Sequence, residues 1–214
     1  MSSFDDLLRR PDLWRAREQG GATTQPPGRP TGYAVFDRCL PGGGWPAQGL
    51  IEILTDHHGV GELSLLMPAL AALSHEDRGQ GWLAWVAPPY QPYAPALAAC
   101  GIDVRRLLIV RGQSPEWAME QALRSGACSA VLGWAAFRDH QGLRRLQLAA
   151  EQSRSMAVLF RKLSDAREPS PAVLRIALES SREGLEARIV KSRGGRPATV
   201  QLGWLHPAAQ AAAY

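Results

Sequence analysis

The sequence predicts an α/β protein in which helices cover a mostly parallel central sheet that continues into antiparallel C-terminal strands. Short apolar runs alternate with helical patterns from residue 50 to residue 160, as in strands that are buried on both faces of a parallel sheet. After residue 163 polar and apolar residues alternate, which is typical of half-exposed antiparallel strands. Residues 50–66 give the clearest local signal, because a buried strand, a polar loop with two glycines and a leucine-rich helix form the outline of a phosphate-binding loop.

The composition indicates one globular domain, alone or with a short arm. The chain has 214 residues, of which 45% are hydrophobic, and a net charge of +4. No run of 18 apolar residues predicts a membrane span, and the acidic N-terminus has no apolar segment of the kind that signal peptides carry. The three cysteines show no C-x-x-C spacing, which favours reduced thiols over disulfides or zinc ligation. We therefore expect a cytoplasmic protein.

Residues 1–30 are predicted to form an amphipathic arm and a flexible linker. The linker, residues 20–30, is rich in Gly, Pro and Thr. We expect the arm to dock on the protein's own core or on a neighbouring protein, including a second copy of the chain. The apolar residues of the arm have loosely helical spacing and are Phe4, Leu7, Leu8, Leu13 and Trp14.

The globular body is predicted to span residues 31–204, with an alanine-rich tail at residues 205–214. It begins with a short helix, a glycine-rich turn at residues 41–44 and the core strand at residues 50–54. The next helix should present Leu63, Leu66, Leu70 and Leu73 on one face, with Pro68 disturbing its hydrogen bonding. Further strands are predicted at 82–87, 106–110, 127–133, 157–160, 173–178, 185–191 and 199–202, and further helices at 95–101, 115–125 and 143–154.

The loop between the core strand at residues 50–54 and the leucine-rich helix lacks the side chains that nucleotide binding requires. A phosphate-binding loop of the G-x-x-x-x-G-K-[ST] type uses a lysine on the phosphates and a hydroxyl on Mg²⁺. With Gly61 as the second glycine of the motif, the first glycine is replaced by Asp56, the lysine by Glu62 and the hydroxyl by Leu63; Gly59 is the other glycine of this degenerate loop. A carboxylate in place of the lysine repels a triphosphate. The sequence predicts a nucleotide-binding scaffold that binds no nucleotide cofactor.

Other catalytic or metal-binding groups are also not expected. The strand that should end in a Mg²⁺-binding aspartate ends instead at Trp134, and Asp139 is predicted to begin a helix. Glu52 on the core strand is predicted to be a partly buried, paired carboxylate. His57 and His58 are adjacent, so their side chains diverge and do not form a metal pair. No G-x-S-x-G elbow supports nucleophilic catalysis.

Basic residues cluster late in the chain and are candidates for contact with a partner or with DNA. Interleaved acidic residues, among them Glu183 and Glu186, dilute the positive field that a nucleic-acid groove needs. The alternatives are a solvated face, DNA phosphates and a protein interface, of which we favour the protein interface. Trp45 and Trp134, beside the vacant loop, are further interface candidates. The basic candidates are Arg161, Lys162, Arg167, Arg188, Lys191, Arg193 and Arg196.

Several motifs together resemble a known family. Residues 31–53 are similar to the segment that leads to the ATP loop of RecA and RadA proteins, and the whole element order resembles a RecA-like core. The complete set of motifs is TGYAVFD at 31–37, PGGGWP at 41–46, GLIEI at 49–53, GVGEL at 59–63, LLMPAL at 65–70, APPYQPYAPA at 87–96, LRSG at 123–126, VLGW at 131–134, LRRLQ at 143–147 and KSRGG at 191–195. This set is more specific and resembles the ImuA family, whose members are SulA-like and RecA-related proteins of bacterial mutagenesis cassettes.

The resemblance implies an accessory factor of SOS-induced translesion DNA synthesis. Its implied partners are an ImuB-like polymerase relative, an error-prone C-family polymerase and RecA. The alternatives are a SulA-like division inhibitor that binds FtsZ, a residual ATPase and a DNA-binding module that acts alone. SulA-type chains are shorter and lack the segment 31–49 and the long C-terminal strands, which favours the ImuA resemblance.

Overall fold

The computed structural model describes residues 26–76, 81–137 and 139–203. The predicted arm residues Phe4, Leu7, Leu8, Leu13 and Trp14 lie outside the described residues, as does the predicted tail, residues 205–214.

The described chain contains one eight-stranded sheet with the strand order β3-β2-β4-β5-β1-β6-β7-β8. Every neighbouring pair from β3 to β6 is parallel, whereas β6–β7 and β7–β8 are antiparallel. A mixed α/β fold with a mostly parallel sheet is therefore confirmed. The strands are β1 (Leu50–Leu54), β2 (Trp82–Val86), β3 (Leu107–Val110), β4 (Cys128–Gly133), β5 (Met156–Arg161), β6 (Leu174–Ser181), β7 (Gly184–Ser192) and β8 (Ala198–Gln201).

Helices cover both faces of the parallel part of the sheet. Helices α1 to α3 pack in one core cluster with Ile51 and Ile53, and α4 and α5 pack in a second cluster with Leu50 and Leu159. Successive residues of β1 thus face opposite layers, as the two-residue period of a strand requires. The helices are α1 (Ala34–Asp37), α2 (Glu62–Ser74), α3 (Ala94–Ala99), α4 (Pro115–Arg124) and α5 (His140–Ser153), with 3₁₀ turns at Pro41–Gly43, Val104–Arg106 and Leu163–Arg167.

Helix α2 follows the predicted pattern. Leu66, Leu70 and Leu73 are fully buried, whereas Leu63 packs at the edge of the core and is only partly buried. Pro68 lies inside the helix without ending it. No helix among the described residues is long and apolar enough to cross a membrane.

Strand β6 corrects the expectation that the C-terminal strands are half-exposed and purely antiparallel. It is antiparallel to β7 but parallel to the central strand β1. Its first five residues are all buried, because a strand inside the sheet is covered on both faces. Strand β7 alternates between buried and more exposed residues as predicted. Its open edge is closed by β8 from Glu186 to Ile189.

The glycine-rich turn binds the end of the predicted linker. Gly28 N–H donates to the Gly42 carbonyl over 2.8 Å, and the backbones of Arg29 and Trp45 exchange two hydrogen bonds. A Cβ atom on Gly44 would lie 2.0 Å from the Arg29 carbonyl oxygen, so only glycine permits this close approach. Residues 28 and 29, which the sequence assigned to a flexible linker, are therefore fixed against the domain.

Candidate functional site

The loop between β1 and α2 is closed by its own carboxylate. Glu62 Oε1 accepts from the Gly59 N–H over 2.8 Å, and Oε2 accepts from the Gly61 N–H over 3.1 Å. Both glycines have positive φ, which turns their amides toward a common point. Backbone amides at a helix N-terminus bind phosphate in other proteins. In this loop the Glu62 side chain, which is 4% exposed, takes that position.

Asp56 and Leu63, the other substituted positions of the motif, have structural contacts. Asp56 Oδ1 accepts from the Leu163 N–H over 3.2 Å and so joins the loop to the turn after β5. Leu63 packs against the core. Neither residue supplies a hydroxyl for a metal ion, and the described residues contain no group of three His, Cys, Asp or Glu side chains that could hold one.

Glu52 belongs to a buried ion cluster. Its side chain is fully buried; Oε2 accepts from Arg175 Nε over 2.6 Å, and Oε1 accepts from Ser170 Oγ over 2.6 Å. Arg161 Nη1 lies 3.5 Å from Oε1. The predicted paired carboxylate is confirmed, although it is completely rather than partly buried. A carboxylate held by these three groups is not placed to activate a water molecule.

Arg175 also fixes the segment that follows β5. Its guanidinium donates to the carbonyls of Asp165, Ala166 and Glu168 over 2.8–3.3 Å. The guanidinium thereby fastens the 3₁₀ turn Leu163–Arg167 close to β1 and β6. No role for Arg175 was predicted from the sequence. The pattern that could have identified it is an arginine among the apolar residues of one strand together with a glutamate in another apolar strand.

Two adjoining cavities open at the carboxyl end of the parallel strands. One of about 550 Å³ is lined by residues that include Asp56, Phe160 and Lys162. The other, of about 270 Å³, lies between α2 and the segment 88–97, and both cavities are bordered by His58 and Trp134. Open parallel sheets bind ligands at this edge. Trp134 stacks on Phe160 with 4.4 Å between the ring centroids.

The segment between β2 and α3 presents two exposed tyrosines beside the smaller cavity. Tyr90 and Tyr93 are 71% and 70% exposed, and the Tyr90 ring meets His58 edge to face with centroids 6.2 Å apart. No role for these two tyrosines was predicted from the sequence. The pattern that could have identified them is a proline-rich stretch with two tyrosines directly after a buried strand. Trp45, by contrast, is fully buried against Phe36 and offers no surface to a partner.

The structure separates the basic candidates. The Arg161 side chain is only 5% exposed and pairs with Glu52, Asp165 and Glu168. Lys162 and Arg167 are exposed after β5, at the carboxyl edge of the parallel strands, whereas Arg196 is exposed in the turn that follows β7, near the opposite edge. Arg188 is exposed on β7 itself.

Lys191 and Arg193 are engaged with their own chain. Lys191 Nζ donates to the Ser170 carbonyl over 2.7 Å, and Arg193 Nη1 lies 3.0 Å from Glu151 Oε1. Burial, and then the charges of Arg193 and Arg175, lower the pKa of the Lys191 ammonium. The basic candidates therefore do not form one continuous surface. Asp139, at the start of α5, accepts from the Gly142 N–H as the predicted helix cap.

Comparison with known proteins gives one family and two kinds of relative. The family described as cell division inhibitor SulA matches residues 49–157, about half of the chain. SulA of Edwardsiella piscicida is 37% identical over 115 residues, which cover 50% of this chain and 67% of that protein. Protein ImuA of Caulobacter vibrioides is 30% identical over 151 residues, which cover 67% of this chain and 61% of that protein. The crystal structure of SulA from Pseudomonas aeruginosa aligns with a TM-score of 0.43 and 25% identity over 52% of this chain and 97% of that one.

Proposed function

This chain belongs to the SulA family, and from that premise we propose that it is a non-catalytic accessory protein of damage-induced translesion DNA synthesis. Its proposed partners are an ImuB-like polymerase relative and, through that protein, an error-prone C-family polymerase. Two further contacts are proposed, one with RecA and one with a second copy of the chain. Both would be made through the arm or the exposed basic residues. DNA is contacted indirectly in this proposal, and the fold is a degenerate RecA-like core.

The extent of the similarity is the observation that carries the proposal. The ImuA match covers 67% of the chain, whereas the SulA match covers 50%. The family match ends at residue 157, yet β6, β7 and β8 belong to the same sheet as the matched strands. A domain that needs these additional strands is larger than the matched SulA segment, which favours an ImuA-type protein.

The loop chemistry supports a role without nucleotide turnover. A nucleotide would have to displace the Glu62 carboxylate from the Gly59 and Gly61 amides and would bring its own negative charge beside it. Strand β4 ends at Gly133, and the residues after it provide no carboxylate before Asp139, which caps α5. The scaffold therefore suits binding of a protein better than phosphoryl transfer.

A division inhibitor is the second candidate, and the higher identity to SulA favours it. In that role the chain would bind FtsZ. The two roles predict different partners for one purified protein, so a single binding experiment separates them.

We expect an affinity-tagged preparation of the full chain to retain the ImuB-like protein of the same organism and to leave FtsZ in solution. A SulA protein is the positive control for FtsZ capture. Deleting the gene should lower the frequency of damage-induced mutations, and overproducing the chain should not produce filamentous cells. Capture of FtsZ with filamentation, and no capture of the ImuB-like protein, would establish the division-inhibitor role instead.

A further inference from the structure

We propose that the 270 Å³ cavity beside Tyr90 and Tyr93 binds an extended segment of a partner protein, which inserts one apolar side chain and places an acidic residue next to it. The inference deepens the proposed function, on which its biological setting rests, because it states the chemistry by which an accessory protein would hold its partner. We call the cavity the anchor pocket. It is formed by α2, α3 and the segment 87–93 that joins β2 to α3.

The lining of the anchor pocket fits an apolar anchor. Its wall includes Leu63, Trp85, Leu97 and three prolines. The volume lies just below the roughly 300–1,000 Å³ that is usual for ligand and cofactor sites, so one or two side chains fill it better than a cofactor does. The one carboxylate in the wall is that of Glu62, which the loop amides already bind. A charged small molecule would therefore find no counter-ion in the wall.

Two indole donors in the wall need an acceptor. Trp85 and Trp134 both line the anchor pocket, and within the described residues the Nε1 atom of each is buried without a hydrogen-bond partner. Buried donors that remain unpaired destabilise the folded chain. Both Nε1 atoms have almost no accessible surface, so the backbone carbonyls of an inserted segment supply the missing acceptors once the indole side chains adjust to open Nε1 toward the pocket. This complementarity favours a peptide over a purely apolar ligand.

The rim of the pocket supplies a cation. Arg111 directly follows β3, and the Ala87 N–H donates to the Val110 carbonyl over 2.8 Å, which places Arg111 beside the segment 87–93. Its Nη2 donates to Oε1 of Gln91, a residue of the pocket wall. Across the described ranges Arg111 has no carboxylate partner. A glutamate or aspartate next to the anchor of the incoming segment would complement this charge.

The exposed tyrosines at the rim agree with a protein partner. Large aromatic side chains with a polar tip dominate the energetics of protein interfaces. Tyr90 and Tyr93 leave about 70% of their surfaces exposed, although a soluble domain gains little from exposing both. Proline neighbours at positions 88, 89 and 92 restrict the backbone that carries them. A backbone that is already restricted loses less conformational entropy when the partner binds.

The test uses acetylated and amidated tetrapeptides that contain phenylalanine beside glutamate, in both orders, titrated into the full-length protein. The readout is the indole N–H resonances in ¹H–¹⁵N spectra, assigned by single Trp→Phe variants. We expect at least one peptide order to shift the Trp85 and Trp134 resonances in a saturable way. Replacing its phenylalanine by alanine should weaken binding about tenfold or more, and replacing its glutamate by lysine should weaken it several-fold.

Trp134→Phe tests the donor, because it keeps the ring and removes the N–H. It should weaken peptide binding by about 2–10-fold, the equivalent of one hydrogen bond. Trp45→Phe is the matched control: Trp45 Nε1 is also buried without an acceptor in the described chain, but Trp45 lies outside the anchor pocket. If Trp134→Phe fails to fold, Tyr93→Ala, at an exposed site, should give a similar loss.

Peptides that leave both indole signals unchanged, or that bind Trp45→Phe as weakly as Trp134→Phe, would overturn the inference. Equal affinity for peptides with and without the phenylalanine would do so as well. Failure of this test together with capture of the ImuB-like protein would leave the proposed function standing with its interface elsewhere. Peptide binding together with FtsZ capture would retain the pocket and reject the proposed function.

Discussion

Glu62 closes the loop between β1 and α2 with its own side chain. From the sequence, the negative charge of Glu62 is expected to repel a triphosphate. The structure adds that the carboxylate accepts from the Gly59 and Gly61 amides, the groups that would otherwise face an anion. A negative side chain at this end of α2 also interacts favourably with the helix dipole. The substitution thus stabilises the loop while it closes the site.

We predict that Glu62→Ala destabilises the protein by about 2 kcal/mol, because hydrogen bonds to a charged acceptor contribute roughly 1.5–3 kcal/mol each and water replaces part of them. Urea denaturation followed by tryptophan fluorescence measures the change. Glu62→Gln is the matched variant; it keeps one oxygen acceptor and should lose about half as much.

We also predict that the Glu62 carboxylate prevents nucleotide binding. ATP·Mg²⁺ titrated into the unmodified protein should give no calorimetric signal at micromolar concentrations, since Glu62 and Leu63 stand where a phosphate-binding loop has its lysine and its Mg²⁺-binding hydroxyl. Micromolar affinity, or ATP turnover that Glu62→Ala abolishes, would contradict both the prediction and the non-catalytic role.

At the scale of elements, the segment from Lys162 to Val173 takes the place of a covering helix. It links β5 to β6 and lies near β1, where the ion cluster of Glu52, Arg161 and Arg175 replaces apolar packing. A buried ion pair contributes little net stability, because desolvation of the charges offsets their attraction. The value of Arg175 therefore lies in fixing the segment through its three bonds to backbone carbonyls.

Arg175→Lys and Arg175→Met separate these two roles. Lysine keeps a charge beside Glu52 but lacks the planar fork that reaches three carbonyls. Arg175→Met removes the principal partner of a buried carboxylate and should cost about 3–5 kcal/mol. We predict a smaller loss for Arg175→Lys, accompanied by much faster amide hydrogen exchange confined to residues 163–170. Arg188→Met, at an exposed position of β7, controls for loss of an arginine. Unchanged exchange in Arg175→Lys would contradict the anchoring role.

The sequence predicted the elements well and their side-chain contacts less well. Continuous apolar runs located β1, β2, β4 and β5 to within about two residues, because a strand that is buried on both faces must consist almost entirely of apolar residues. The pattern could not show that β6 lies beside β1, since pairing across 123 residues is a property of the whole sheet. Nor could it show that Glu62 folds back on its own loop, because that depends on the positive φ angles of two glycines.

At the scale of the whole molecule, the segment matched by the SulA family does not contain all the strands of the sheet. It contains β1 to β4 and the first residues of β5, whereas β1 needs β6 on its other side. We predict that a variant ending at residue 170 does not fold. It loses the burial of Leu174, Ile176 and Leu178, at about 1.5–3 kcal/mol each, and leaves Glu52 without Arg175.

These losses together reach the 5–15 kcal/mol by which domains are usually stable. Circular dichroism and dye binding to exposed apolar surface should report an unfolded or collapsed chain. A variant ending at residue 203 keeps all eight strands and serves as the control. A cooperative thermal transition in the shorter variant would show that β1 to β5 form a domain alone.

The separation between Glu52 and Arg175 in the sequence also determines how long the growing chain waits for its complete sheet during synthesis. The two residues are 123 positions apart, which corresponds to roughly 6–25 s of synthesis at about 5–20 residues per second. For most of that interval the central strand lacks both of its neighbours, β5 and β6, and throughout it the Glu52 carboxylate lacks its main counter-charge. The nascent chain therefore passes through a period in which its sheet is open to chaperones and proteases, so the yield of folded protein depends on how quickly translation reaches β6.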